Sequence, residues 1–307
     1  MSIRTAFLSC TLLAAGACGP VATTTEIKLP AGPPPAPYTV AAETKSLGNN
    51  TVVNNADVTQ IVVDGRILSG LQSSNEADTP AGQGAQAIAY YRTATSYWQW
   101  PVQNLWRGKT NSGAGEATLI KSHDAVDYAI STIELERTGD TTIPVSGTTE
   151  YKGLYAGTSS QEGGHPVRTY DNSSSYFYSG DVNLSANFAT ARVSGAITNR
   201  KTDSLAAGYT NIRQTKDITL ELGGIENGAF FGTATSPADD PDNPDPTVQY
   251  PDDGHRYFQT DGTYEGLFIG ANADEIVGTI TVDHVRGGET PHSVRETGIF
   301  VLNQDTP

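Results

Sequence analysis

Acid–base or metal chemistry in this 307-residue chain would fall first to its five histidines, His123, His165, His255, His284 and His292. They are scattered, and none forms an H-x-H or H-x-x-x-H pair that would put two imidazoles on one metal ion. Isolated in this way they read as polar surface positions. No G-x-S-x-G turn offers a hydrolase nucleophile, and "GGIENG", Gly223 to Gly228, lacks the G-x-G-x-x-G spacing of a phosphate cradle. Nothing here points to an enzyme or to a cofactor.

Two local features remain. "SPADDPDNPDPTVQYPDDG", Ser236 to Gly254, packs six aspartates and five prolines together, Asp239, Asp240 and Asp242 among them. Close carboxylates are hard oxygen ligands for Ca²⁺, but this stretch has neither the D-x-D-x-D-G loop nor its distant Glu. It reads as a solvated loop, or as an acidic surface that steers a basic partner. The second feature is "YYRTATSYWQWPVQNLW", which holds all three tryptophans, Trp98, Trp100 and Trp106. Aromatics this dense fill a small core or present a sticky binding face; both readings stand at this point, with core the more frequent use.

These residues must be positioned by β-structure. Only 17% of residues are charged, with 32 glycines and 14 tyrosines, a composition suited to half-buried strands. The net charge of −15 excludes a nucleic-acid binder, which needs Lys and Arg to displace phosphate counterions. Cys10 and Cys18 are the only cysteines, so no disulfide framework is available further along the chain.

The opening "MSIRTAFLSCTLLAAGACGP" has the layout of a cleaved export signal. Ala15-Gly16-Ala17-Cys18 resembles the lipobox of bacterial lipoproteins, with Ala in place of the usual Leu at its first position. That resemblance implies residues 1–18 as a signal ending at a lipidated Cys18, anchored to the membrane through lipid alone. Residues 19–40, rich in Pro, Thr and Ala, read as an extended tether.

Over residues 41–140 the signals are mixed. "NTVVNNADVTQIVVDGRILSGL" suits one or two strands around Asp64-Gly65, a hairpin dipeptide, while "DAVDYAISTIELE" suits strand or helix. From Thr141 onward the pattern is regular. In "SGDVNLSANF", Val182, Leu184, Ala186 and Phe188 alternate with Asp181, Asn183, Ser185 and Asn187, which is period two with one wet face. Eight such runs occur, about 147–156, 177–188, 190–198, 217–224, 228–235, 262–270, 274–284 and 295–303. Short links and no helical periodicity predict antiparallel neighbours closing as a sandwich or an up-and-down barrel. Gly195, Gly232, Gly266 and Gly278 in mid-strand favour the barrel, where strands bend sharply and small residues alternate with large inside. The fold class is therefore mainly β: an eight-stranded antiparallel up-and-down barrel over 141–307, packed rather than hollow, preceded by a smaller strand-rich unit.

The phrases "PVSGTTEYKGLYAG", "NLSANFATARVSGAIT", "GGIENGAFFGTAT", "YEGLFIGANADEIVGTI" and "ETGIFVLN" resemble, in this order, the β-barrel domain of the transferrin-binding protein B family of surface lipoproteins. The resemblance covers about Thr141 to Gln304 and implies a single lobe, with residues 41–140 as its handle domain. It further implies a bacterial outer-membrane, surface-exposed co-receptor. Such a protein captures a host iron- or haem-carrying protein, or a related solute, beside a TonB-dependent transporter, through loops of the handle and barrel cap. Candidate contact residues are Trp98, Trp100, Trp106, Asp239, Asp240 and Asp242. Two other classes are an envelope lipoprotein with a purely structural or adhesive role, and a lipocalin-like carrier or enzyme with its ligand inside the barrel. The last requires a polar cavity, against which the apolar inward faces argue.

Overall fold

A computed structural model of the chain describes residues 37–47, 52–54, 60–63, 66–69, 71–73, 88–93, 102–123, 129–162, 176–204, 213–236, 257–286 and 293–305. The first part of the chain carries β1 (Tyr38–Val40), β2 (Glu43–Leu47), β3 (Val52–Asn54), β4 (Gln60–Val63), β5 (Arg66–Ser69), β6 (Leu71–Ser73), β7 (Ile88–Thr93), β8 (Val102–Lys109), β9 (Gly115–His123), β10 (Ala129–Arg137) and β11 (Thr141–Ile143). The barrel strands are β12 (Thr148–Glu162), β13 (Tyr176–Asn187), β14 (Arg192–Ser204), β16 (Ile218–Glu226), β17 (Ala229–Ser236), β18 (Tyr257–Ile269), β19 (Glu275–Arg286) and β20 (Ser293–Gln304). A short β15 (Arg213–Gln214) pairs with the end of β14. All eight alternating runs are strands, and no helix occurs among the described residues.

Each barrel strand pairs antiparallel with its neighbour in the chain, and the ring closes where β12 meets β20, with Lys152 opposite Asn303 and Thr158 opposite Thr297. Closure removes the edges of the barrel sheet. The turns explain the register. Asn227 and Gly228, at φ of 51° and 74°, form the two-residue type I′ turn between β16 and β17 that fits the strand twist. The turns at 188–191, 227–228 and 270–274 all lie on one rim. The connections 163–175, 205–217, 237–256 and 287–292 all leave from the other. The first described strand and the last described residue both lie at the short-turn rim: Val40 of β1 packs where a Cβ on Gly228 would stand, and the Asp305 amide donates to the Glu150 carbonyl at 2.8 Å.

Alternation fills the barrel with its own side chains. Beside the short turns lie Tyr151, Phe188, Ala191, Phe268, Ala273 and Ile276; Phe230, Tyr264, Ile280 and Phe300 form the middle. The ring of Phe268 is central, 5.3 Å from both Phe188 and Phe230 and 6.0 Å from Tyr151, in the tilted arrangement that aromatic quadrupoles prefer. Mid-strand glycines make room for these rings. A Cβ on Gly232 would meet Tyr264, one on Gly266 Phe230, one on Gly278 Phe300 and one on Gly298 Tyr155.

The six-stranded sheet β2-β10-β9-β8-β7-β6 packs its apolar face on the barrel wall. Ile88, Trp106, Ala117, Leu119, Ile133 and Leu135 meet Ala156, Leu267, Ile269, Val277, Ile299 and Val301, the outward residues of β12, β18, β19 and β20. Polar links fasten the seam: Lys45 to Glu265, the Ser112 amide to Glu275 at 2.8 Å, and Arg137 to the carbonyls of Gly228 and Phe268 at 3.1 and 3.3 Å. Val63 pairs with Arg66 across Asp64-Gly65, as the hairpin dipeptide predicts, and the ambiguous run around Ile130 is a strand. Tyr38–Val40, inside the stretch read as tether, is a strand paired with Thr141–Ile143.

Candidate functional site

The interior beneath the long connections is charged, which corrects the expectation of uniformly apolar inward faces. The cause lies in β14. Val193, Gly195 and Ile197 point inward by strict alternation, and simple continuation would send Arg200 outward. Asn199 instead takes φ of 52°, and Asn199 and Arg200 together oppose the single residue Gly180 in a β-bulge. Asn tolerates this left-handed conformation better than most residues, and its amide donates to Asp181 at 2.7 Å. The bulge turns Arg200 into the barrel, where it is 1% exposed.

Opposite stands Glu296 of β20, with no exposure at all. One guanidinium nitrogen of Arg200 donates to both of its oxygens, at 2.5 and 2.6 Å. The Tyr155 hydroxyl donates to Oε1 at 2.5 Å. Nε2 of His284 lies 2.8 Å from Oε2 and donates to it, and Nδ1 of the same ring lies 2.8 Å from the Thr260 hydroxyl. The Tyr178 ring covers the guanidinium at 5.4 Å. Histidine 284, read from sequence as an isolated surface residue, is thus a buried member of an ionic network.

Electrostatics follow from this geometry. Burial alone raises the Glu296 carboxyl, but the Arg200 charge and the His284 hydrogen bond outweigh it and hold the pKa at about 2. Burial and the neighbouring Glu296 charge push the Tyr155 phenol well above its ordinary value. Both Glu296 oxygens already accept two bonds, so the carboxylate has no free lone pair facing a substrate. The arrangement is a lock between strands rather than an acid–base pair.

Among the described residues no group of three or more His, Cys, Asp or Glu stands together as a metal-ligand set. Trp106 lies 1% exposed in the core between sheet and barrel. Cys18, Trp98, Trp100, Asp239, Asp240 and Asp242 lie outside the described residues; the last three belong to the 237–256 connection, which leaves from the rim above the charged layer. Arg200, Glu296 and Tyr155 went unnoticed in the sequence. A signal was present for Glu296, because Glu296, Gly298, Phe300 and Leu302 share one face and a charge on an otherwise apolar face demands a partner.

A closed barrel filled by its own side chains, flanked by a packed sheet and carrying all its long connections on one rim, is a scaffold that presents loops. The chain belongs to the family of the C-lobe and N-lobe β-barrels of Tf-binding protein B, which it matches over residues 143–297. Among solved structures it is similar to a double mutant of the vaccine antigen transferrin-binding protein B of Haemophilus parasuis Hp5. That match has 15% identity and a TM-score of 0.45, over 87% of this chain and 45% of that one. It is likewise similar to isotype 1 transferrin-binding protein B of serogroup B Neisseria meningitidis, at 17% identity and a TM-score of 0.44, over 87% and 44%. Intact Ap-TbpB, with N and C lobes, gives 14% identity and a TM-score of 0.42 over 86% and 46%. The chain spans less than half the length of each of these structures. No curated protein matches it.

Proposed function

We propose that this protein is a lipid-anchored, surface-exposed capture protein of the bacterial outer membrane. Without catalysis, it binds an iron- or haem-carrying protein, or a related solute, and hands it to a TonB-dependent transporter. The observation that carries this reading is the segregation of connections: three of 13 to 20 residues and one of six on one rim, turns of two to five residues on the other, around a barrel whose described interior is packed. A fold that spends its inside on packing keeps its rims and loops for recognition. Membership in the transferrin-binding barrel family supports the choice of ligand class. Cys18 is the proposed lipid site. Asp239, Asp240 and Asp242, on the 237–256 connection, are proposed as a surface for a basic partner, and Trp98 and Trp100 as contacts from the sheet side.

The test is a biosensor panel of transferrin, haemoglobin and free haem against the immobilised chain, alongside protease shaving of intact cells. Saturable binding of one panel member, weakened by excising Asp239 to Asp253, together with loss of the protein on shaving, supports the reading. No binding across the panel, with the protein resistant to shaving, leaves the structural-lipoprotein alternative in its place.

A further inference from the structure

Arg200 does more than neutralise Glu296. Its main-chain carbonyl accepts from the Thr215 amide at 3.0 Å, its second guanidinium nitrogen donates to the Lys216 carbonyl, and the next two residues pair with β15, Lys201 with Gln214 and Thr202 with Arg213. The 205–217 connection is therefore tied back to the barrel wall by the same residue whose other guanidinium nitrogen is fixed by Glu296. Glu296 is held in turn by Tyr155 of β12 and His284 of β19, and His284 by Thr260 of β18. The mouths of five barrel strands thus converge on one carboxylate, directly under the rim from which the long connections depart.

We propose that the Asn199 bulge and the Arg200–Glu296 pair form a latch that positions the returning end of the 205–217 connection at the loop-bearing rim. Arg200 is a positioning residue: it touches no ligand and acts through the backbone at Thr215 and Lys216. Three features support a latch over a simple core ion pair. The pair requires a bulge with a non-glycine residue at positive φ, which an ordinary core arrangement has no need of. The guanidinium divides its bonds between a carboxylate and a loop-side carbonyl. The opposite, short-turn end of the same interior is filled mainly by apolar and aromatic side chains, with the Tyr151 hydroxyl donating to the Ala273 carbonyl. The use of the latch in recognition rests on the function proposed above, but its existence does not.

Hydrogen exchange read by mass spectrometry on the full chain tests it without any ligand. In Arg200→Met, exchange of the amides over 213–220 should rise at least tenfold more than that of 225–232 at the short-turn rim and of β9 and β10, which follow only the variant's global loss of stability. Glu296→Gln, which keeps the shape and removes the charge, should show the same local pattern at smaller amplitude, and is the variant read if Arg200→Met does not fold. A uniform rise over the whole barrel, no change at 213–220, or failure of both variants to fold would overturn the latch and leave the pair as core structure only. A normal exchange pattern with altered capture would count against the latch and not against the proposed function.

Discussion

Arg200 and Glu296 lie on β14 and β20, strands that share no ladder, and meet inside the barrel through two bonds of 2.5 and 2.6 Å. Their geometry separates the cost of burying charge from the cost of breaking a pair. Glu296→Ala strands a guanidinium in the core and should cost about 3–5 kcal/mol, whereas Arg200→Met combined with Glu296→Leu should recover most of that loss. Urea unfolding of the two single variants and the double variant measures both quantities. Independent, additive losses would show that the pair is not coupled.

The same carboxylate gives the barrel an acid-sensitive step. Its pKa is held at about 2 in the fold, against an ordinary value of 4.5, so its contribution is complete above pH 4.5 and drains away as pH falls toward 2. Glu296→Gln should lack that part of the pH–stability curve. The comparison needs urea midpoints at several pH values from 6 down to 2 for both proteins.

Lys121 of β9 has the opposite sign. Buried against the barrel wall, with its ammonium donating to the Ser159 carbonyl and to the Thr158 hydroxyl at 3.3 Å, its pKa is brought down by burial to about 7. Between pH 7 and 10.5 the unfolded chain holds a proton that the folded one has released, so stability rises with pH over that window. Below it the full penalty of burying the charge is present. Lys121→Met should be the more stable protein at pH 7, with an advantage that shrinks by roughly 3–5 kcal/mol toward pH 10.5. Paired urea titrations at pH 7 and pH 10 check the difference between the two proteins, which cancels other groups titrating there.

Packing of glycine against ring predicts a specific non-additivity. Gly278→Ala puts a methyl group into the Phe300 ring and should cost about 1–3 kcal/mol. In the background of Phe300→Leu the same change should cost less, because the ring has gone and only the Glu265 carbonyl, 2.8 Å from the new methyl group, still obstructs it. A double-mutant cycle in thermal or urea unfolding gives the coupling energy.

Trp106 separates core from contact surface. Its indole lies in the seam with Ile88, Leu119 and Val301, so Trp106→Ala should cost about 3–5 kcal/mol in unfolding free energy. Unchanged stability would mean that the seam does not hold the sheet to the barrel.

Much of this architecture was legible because period-two alternation fixes a strand and its buried face together. Val182, Leu184 and Ala186 could be placed inside the barrel from spacing alone, and Gly266 and Gly278 pointed to tight interior approaches that the rings of Phe230 and Phe300 make. The sheet was harder to read. Its strand β9 carries Thr118 and Ile120 buried on one face and Leu119 and Lys121 buried on the other, so no wet face marks the period. The charged layer was hidden by the bulge: one residue at positive φ reverses the inward sense of all that follows, and alternation counted through Asn199 places Arg200 on the wrong side. Histidine 284 looked solitary because its partners, Glu296 and Thr260, come from other strands and are brought to it only by closure.

Because Asp305 ends beside Glu150 at the short-turn rim, a bead, dye or fused reporter joined just after it lies a whole strand length, about 30 Å for tilted twelve-residue strands, from the opposite mouth. Coupling at that position therefore presents the opposite rim to the bulk in a common orientation. A surface-bound assay would then sample every copy from the same side.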